Sequence, residues 1–291
     1  MTDRRPTLGV LSAAGAFCVW GMVPLYFRTL RGVSAFEIIA HRVLWSLVFL
    51  VLLLRFTRGF APVRAVFAQP RTVARLTLTA ALIAANWLTF VWAVNAGRIL
   101  DTSLGYFLTP QVNVLLGFLF LHERLRRTQV IAVLLALGGV VNQIWLLGQL
   151  PWISLVLALT FGSYGLFRKQ IPVDAVTGLL VETLVAAPFA LGFLVYLERA
   201  GHLGFAHQGR GTTALLVGLG VVTAIPLLLF AAGARRLRLA TIGFLQYIAP
   251  TMTFLIAVFV YGEQLGLARI LTFVLIWAGI LVYAGHSLRS L

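Results

Sequence analysis

Apolar residues run along the chain in continuous stretches of about 20, and polar residues collect in the short gaps between them. Ten such stretches stand out: 8–27, 35–54, 76–96, 102–121, 129–147, 151–167, 175–197, 212–234, 240–261 and 267–285. A helix needs about 20 apolar residues to cross the roughly 30 Å hydrocarbon core of a bilayer. Strands of a membrane barrel would be about ten residues long, alternating apolar with polar positions, and these runs do neither. Backbone groups in lipid must be satisfied within their own segment, so long apolar runs predict helices. The expectation is an all-α membrane protein of ten transmembrane helices. The first run is longer than the apolar region of a signal peptide and is read as an uncleaved membrane helix.

Composition agrees. Of 291 residues 60% are hydrophobic and 11% charged, against about 25% charged in soluble domains. The formal net charge of +15 would suit nucleic-acid binding, but the basic residues are scattered through gaps between apolar runs. The bias of Lys and Arg toward cytoplasmic loops explains that scatter better. With the N-terminus in the cytoplasm, the cytoplasmic gaps hold 16 of the 23 Lys and Arg residues, the opposite gaps hold 6, and Arg42 lies within a helix. Both termini are therefore expected in the cytoplasm. A single cysteine, Cys18, excludes an intrachain disulfide or a cysteine metal cluster.

The two halves of the chain resemble each other at an offset of 140 residues. Pro110 falls on Pro250, Glu123 on Glu263, Leu125 on Leu265, Gly139 on Gly279, Phe90 on Phe230, Arg98 on Arg238 and Arg28 on Arg168. Each half holds five helices, an odd number, so the second half enters the membrane from the opposite side. The expected architecture is two inverted five-helix repeats, 1–147 and 148–291, around a central cavity. Inverted repeats are the build of many secondary transporters, with the substrate site near the midplane between the halves.

Particular residues resemble the EamA-type drug/metabolite transporter superfamily, and within it the RarD branch. They are Trp20 to Phe27, Glu37 to Ser46, Asn86-Trp87, Asn95, Ser103 to Phe107, Leu245 to Thr251, and a proline and glutamate 13 residues apart in helices 4 and 9. The resemblance covers nearly the whole chain. It implies a ten-helix carrier working by alternating access, in the export direction, on small organic solutes such as amino acids, metabolites or drugs. The branch is associated with chloramphenicol sensitivity by name, which does not fix a substrate.

An ionisable side chain in mid-membrane costs about 2.5–3.5 kcal/mol on an insertion scale, so each needs a reason. Glu37 and His41 lie four apart on one face of helix 2, with Arg42 beside them. Helix 7 contains Glu182, which has no partner nearby in sequence. Arg42 and Glu182 coincide under the 140 offset, each about 10 Å inside its own membrane face at 1.5 Å rise per residue. They are expected to line opposite ends of one cavity, able to hold a zwitterion, or with Glu182 as a proton site. A local structural cluster is the alternative for Glu37, His41 and Arg42, and coupling or gating the functional one.

Asn86 is a lining candidate because helix 3 faces the cavity in the family. Tyr106 and Gln246 are repeat-equivalent polar positions, with Tyr247 following, and Trp20 and Tyr164 offer aromatic walls; packing is the competing role for each. Pro24, Pro110, Pro226 and Pro250 interrupt helices, and paired Pro110 and Pro250 suggest symmetric bends useful for gating, or static packing. Glu123 and Glu263, at helix ends, read as structural.

The chain has no Gly-x4-Gly-Lys loop, no metal-ligand spacing among its five histidines, and one lysine, Lys169. No cofactor, metal, nucleic acid or enzymatic activity is expected. The sequence reading is a secondary carrier in an inner or plasma membrane, its partners a small solute and the bilayer. Its energy comes from proton coupling through Glu182 or from passive exchange. A flippase for lipids or lipid-linked carriers and a non-transporting receptor or scaffold are the rivals.

Overall fold

A computed structural model describes residues 4–57, 59–121, 127–234 and 245–289. The described chain is helical throughout its elements: α1 (Arg4–Thr29), α2 (Ala35–Thr57), α3 (Ala61–Phe67), α4 (Pro70–Asn95), α5 (Ile99–Leu121), α6 (Arg127–Leu147), α7 (Trp152–Gln170), α8 (Ala175–Arg199), α9 (Arg210–Ala234), α10 (Ile248–Leu255) and α11 (Leu267–Arg289). A π-helical turn, Ile256–Val260, continues α10.

Six helices, α1, α2, α4, α5, α8 and α9, are long and apolar enough to cross a membrane; four shorter apolar stretches lie at 130–146, 152–168, 248–260 and 267–282. Every expected run coincides with a helix over its described residues. Most helices extend past the apolar run, as α4 does through Arg71 and Arg75, because a helix does not end where the lipid does. The exception in kind is α3, seven residues in the gap between the second and third apolar runs, too short to be a membrane span. Its Val63 and Val66 pack with Leu54, Leu76 and Leu180, and that burial holds a helix too short to be stable alone.

Local chemistry sets several starts. The Glu37 N–H donates to Ser34 Oγ at 3.1 Å before α2. Asp174 Oδ1 accepts from the N–H groups of Val176 and Thr177 at 3.1 and 3.2 Å, capping α8. Pro24, Pro110, Pro188 and Pro226 all lie inside helices.

The main helix pairings are α6 with α11, α5 with α7, α1 with α9 and α10, α2 with α8 and α9, and α4 with α7. At the α6–α11 crossing, a Cβ on Gly139 would stand 3.3 Å from the Thr272 carbonyl oxygen, and one on Gly279 would stand 3.1 Å from that of Ala132. A methyl at either position would press on the facing backbone, so glycine favours this close approach, the small-residue packing of membrane helices. Large apolar side chains face outward all round the bundle, among them Phe56, Trp145, Phe189, Phe259 and Leu281. Water would penalise that surface and lipid does not, so this is a multi-pass membrane protein.

Candidate functional site

Arg42 stands on the buried face of α2, 9% exposed. Its guanidinium carbon lies 3.8 Å from the centre of the Trp87 ring and 5.9 Å from that of Phe27. Its Nε has no hydrogen-bond partner, and no carboxylate among the described residues is paired with it. A cation here is held by ring faces alone.

Glu182 occupies the matching position on α8, 2% exposed, and is surrounded by partners. Thr79 Oγ1 of α4 donates to it at 2.6 Å and the Tyr164 hydroxyl of α7 at 3.3 Å. Arg168 Nε of α7 stands 3.7 Å away. Gly178, one turn earlier on α8, leaves the space that the Arg168 guanidinium fills; a methyl there would overlap it. The carboxylate that looked partnerless along the sequence is thus matched by residues distant along the chain.

A file of aromatic rings joins the two charges. From Phe27 it passes to Phe90 (6.1 Å between centroids), Tyr106 (5.7 Å), Phe161 (5.9 Å) and Tyr164 (6.2 Å). The Tyr106 hydroxyl donates to Asn86 Oδ1 at 3.0 Å. Asn86 Nδ2 donates to the Leu157 carbonyl and to Thr160 Oγ1, both at 3.0 Å. The Asn86 amide thereby ties α4 to α7 and fixes the Tyr106 ring. Trp87 also walls a cleft between α2, α4 and α8, together with Val43, Ile83, Leu179 and Glu182, with about 20 Å³ of free space. That admits one water. Ligand sites of several hundred Å³ are the norm for drug-sized molecules, so a solute enters here only if these helices separate.

The remaining candidates lie elsewhere. Glu37 accepts from the Gly204 N–H at 2.9 Å and the Phe205 N–H at 3.0 Å; His41 Nε2 is 3.8 Å from its carboxylate and stacks on Phe205 at 4.7 Å. They hold the loop between α8 and α9 against α2. Trp20 packs with Phe17 and Phe230, and Tyr247 stacks on Phe107 at 6.3 Å. Gln246 is half-buried just before α10. Pro250 is buried and its carbonyl accepts from Ser103 Oγ at 2.8 Å, while Pro110 lies within an unbroken α5.

Glu263 caps α5 from across the bundle: its two oxygens accept from the N–H groups of Ile99 at 2.7 Å and Leu100 at 2.9 Å. Burial raises its pKa above the ordinary 4.5, opposed by those two backbone donors and by Arg269. Glu123 lies outside the described residues.

Thr79, Trp87 and Arg168 belong to this centre, although sequence reasoning gave none of them a role in it. The α4 spacing 79, 83, 86 and 90 marks one buried face and is the signal that would have found Thr79. Nothing along the chain brings Arg168 to Glu182.

Charges of both signs buried inside a lipid-facing helical bundle mark a polytopic membrane protein with a polar interior. The EamA-like transporter family matches residues 7–142 and again 150–285. Protein RarD of Salmonella typhi is 46% identical over 100% of this chain and 99% of its own. An uncharacterized transporter of Vibrio cholerae is 45% identical over 97% of this chain and 95% of its own. A solved crystal structure, 18% identical, agrees in fold with a TM-score of 0.62 over 96% of this chain and 98% of that one. The chain belongs to the EamA-like transporter family, a family of membrane transporters, and its relatives place it with the RarD-type members.

Proposed function

We propose that this protein is a secondary carrier that exports small organic solutes across the bacterial inner membrane by alternating access. In this reading ten membrane helices form two inverted five-helix repeats, with both termini in the cytoplasm. The repeat is supported by the two successive family matches. It is also supported by packing that comes in exchanged pairs: α5 with α7 and α10 with α1, α1 with α9 and α7 with α4.

The observation that carries the proposal is the pair of repeat-equivalent charges, Arg42 and Glu182, buried at opposite ends of one aromatic file. Ionisable side chains at this depth are costly, and a carrier gives them a purpose: contact with solute or proton during the cycle. Separation of α8 from α2 and α4 opens the cleft, and the equivalent motion of the other half closes it. Glu182, with hydroxyl donors on both oxygens, is the proposed coupling group, protonated in one half of the cycle.

Purified protein reconstituted into liposomes tests this. Counterflow of radiolabelled amino acids, nucleosides or aromatic antibiotics is expected to saturate, and its acceleration by a proton gradient to be lost in Glu182→Gln. Movement of a fluorescent lipid between leaflets, with no solute flux, would replace the carrier by a flippase. Binding of solutes without flux would make the protein a receptor.

A further inference from the structure

Arg42 and Glu182 are equivalent by position and unlike in circumstance. Glu182 has Arg168 at 3.7 Å and two hydroxyl donors, so its charge is offset from within the protein. Among the described residues the partners of the Arg42 charge are rings, the face of Trp87 at 3.8 Å and that of Phe27 at 5.9 Å. Among the described residues the centre therefore holds one positive charge, that of Arg42, with no carboxylate set against it.

The way Arg42 is held tells what would complete it. A guanidinium stacked on an aromatic face keeps its N–H edge clear for a second partner, and that planar edge matches a carboxylate in two parallel hydrogen bonds. The unpartnered Nε lies on this edge. The neighbouring cleft, which shares Trp87, is walled mostly by Val43, Ala80, Ile83, Leu179 and Ala186, apolar side chains that suit a hydrocarbon or aromatic body; its polar members are Glu182, already paired, and Thr183, whose hydroxyl is spent on α8 carbonyls.

We infer that the transported solute is a small organic carboxylate of net negative charge, its carboxylate seated on the edge of Arg42 and its apolar body on the Trp87 side of the cleft. The inference rests on the carrier reading for transport but not for binding. It differs from the zwitterion that two free opposite charges would suit, because Glu182 is already paired.

The test is thermal unfolding of the purified full-length protein in detergent, at constant chloride, with matched probes. Benzoate and phenylacetate are compared with benzamide, phenylacetamide and phenethylamine. The carboxylates are expected to raise the midpoint in a saturable way and the amides and the amine not to. Arg42→Gln should abolish the shift, and Arg42→Lys, which keeps the charge but not the planar fork, should reduce it several-fold. Without ligand, Arg42→Gln should melt at or above the wild-type midpoint, since an uncompensated buried cation is removed; a midpoint well below it would make Arg42 a structural element and overturn the inference. Equal stabilisation by acid and amide, a shift that persists in Arg42→Gln, or the same shift from chloride or phosphate alone would also overturn it.

Liposome flux separates the two readings. Arg42-dependent carboxylate binding without flux would remove the carrier and leave the subsite. Flux of a neutral or cationic solute, indifferent to Arg42→Gln, would leave the carrier and remove the subsite.

Discussion

The guanidinium carbon of Arg42 lies 3.8 Å from the centre of the Trp87 ring, and Trp87 walls the same cleft as Glu182. One indole thus touches both the cation and the compartment of the paired anion.

The ring face itself is what supports the cation. Trp87→Phe keeps a face and Trp87→Leu does not. Trp87→Leu is expected to lower unfolding free energy by about 0.5–2 kcal/mol more than Trp87→Phe, the range for a cation over a ring. Chemical unfolding in mixed micelles measures the difference, and Arg42→Gln should erase it.

Arg168 and Glu182 form a buried pair in which each partner offsets the other's charge. Removing one partner of such a pair costs about 3–5 kcal/mol, because the survivor is left uncompensated. Arg168→Met should fall in that range, and Arg168→Met with Glu182→Gln should regain most of it. A double-mutant cycle by unfolding reads the coupling directly. Gly178→Ala, which pushes the Arg168 guanidinium out of its place, should reproduce part of the Arg168→Met loss.

Glu37 and His41 hold a loop. Hydrogen bonds to a charged acceptor contribute about 1.5–3 kcal/mol each, and Glu37 receives them from Gly204 and Phe205. Glu37→Ala should destabilise by about 2–3 kcal/mol or more and expose the 200–209 loop to protease. His41→Phe keeps the stack on Phe205 and should cost less than about 1 kcal/mol. Neither change should alter the pH dependence of transport in protein that remains folded.

The fold was largely legible because the bilayer leaves a helix so few alternatives. Apolar run length located the described helices, and the 140-residue offset found the Gly139 and Gly279 pair before the α6–α11 crossing explained it. The short α3 escapes a reading based on membrane-length runs, although Phe60, Val63, Val66 and Phe67 lie at helical spacing. At the candidate site, ring contacts and hydrogen bonds connect Arg42, Asn86, Tyr106, Tyr164 and Glu182, five residues picked out along the chain by their chemistry. Thr79 and Arg168 reach Glu182 only through the packing of α4 and α7 on α8, which no local pattern records. Trp20 and Tyr247, equally good aromatic candidates by type, pack into other ring clusters.

Glu263 predicts a pH effect on stability. Its pKa is raised above the ordinary 4.5 by burial, so folding favours the protonated form. The stability linked to it is fully present below the ordinary carboxylate value and is lost as pH rises through the raised one. Glu263→Gln, uncharged at every pH, should flatten that part of the profile. Unfolding of wild type and variant from about pH 4 to 8 measures the difference.

The most direct test of the carrier account is solute counterflow in liposomes containing wild-type protein or Glu182→Gln, with and without an imposed proton gradient. The account predicts saturable flux in the wild type that the gradient accelerates, and in the variant flux that no longer responds to it. Folded, solute-binding wild-type protein that moves no solute under either condition would contradict it.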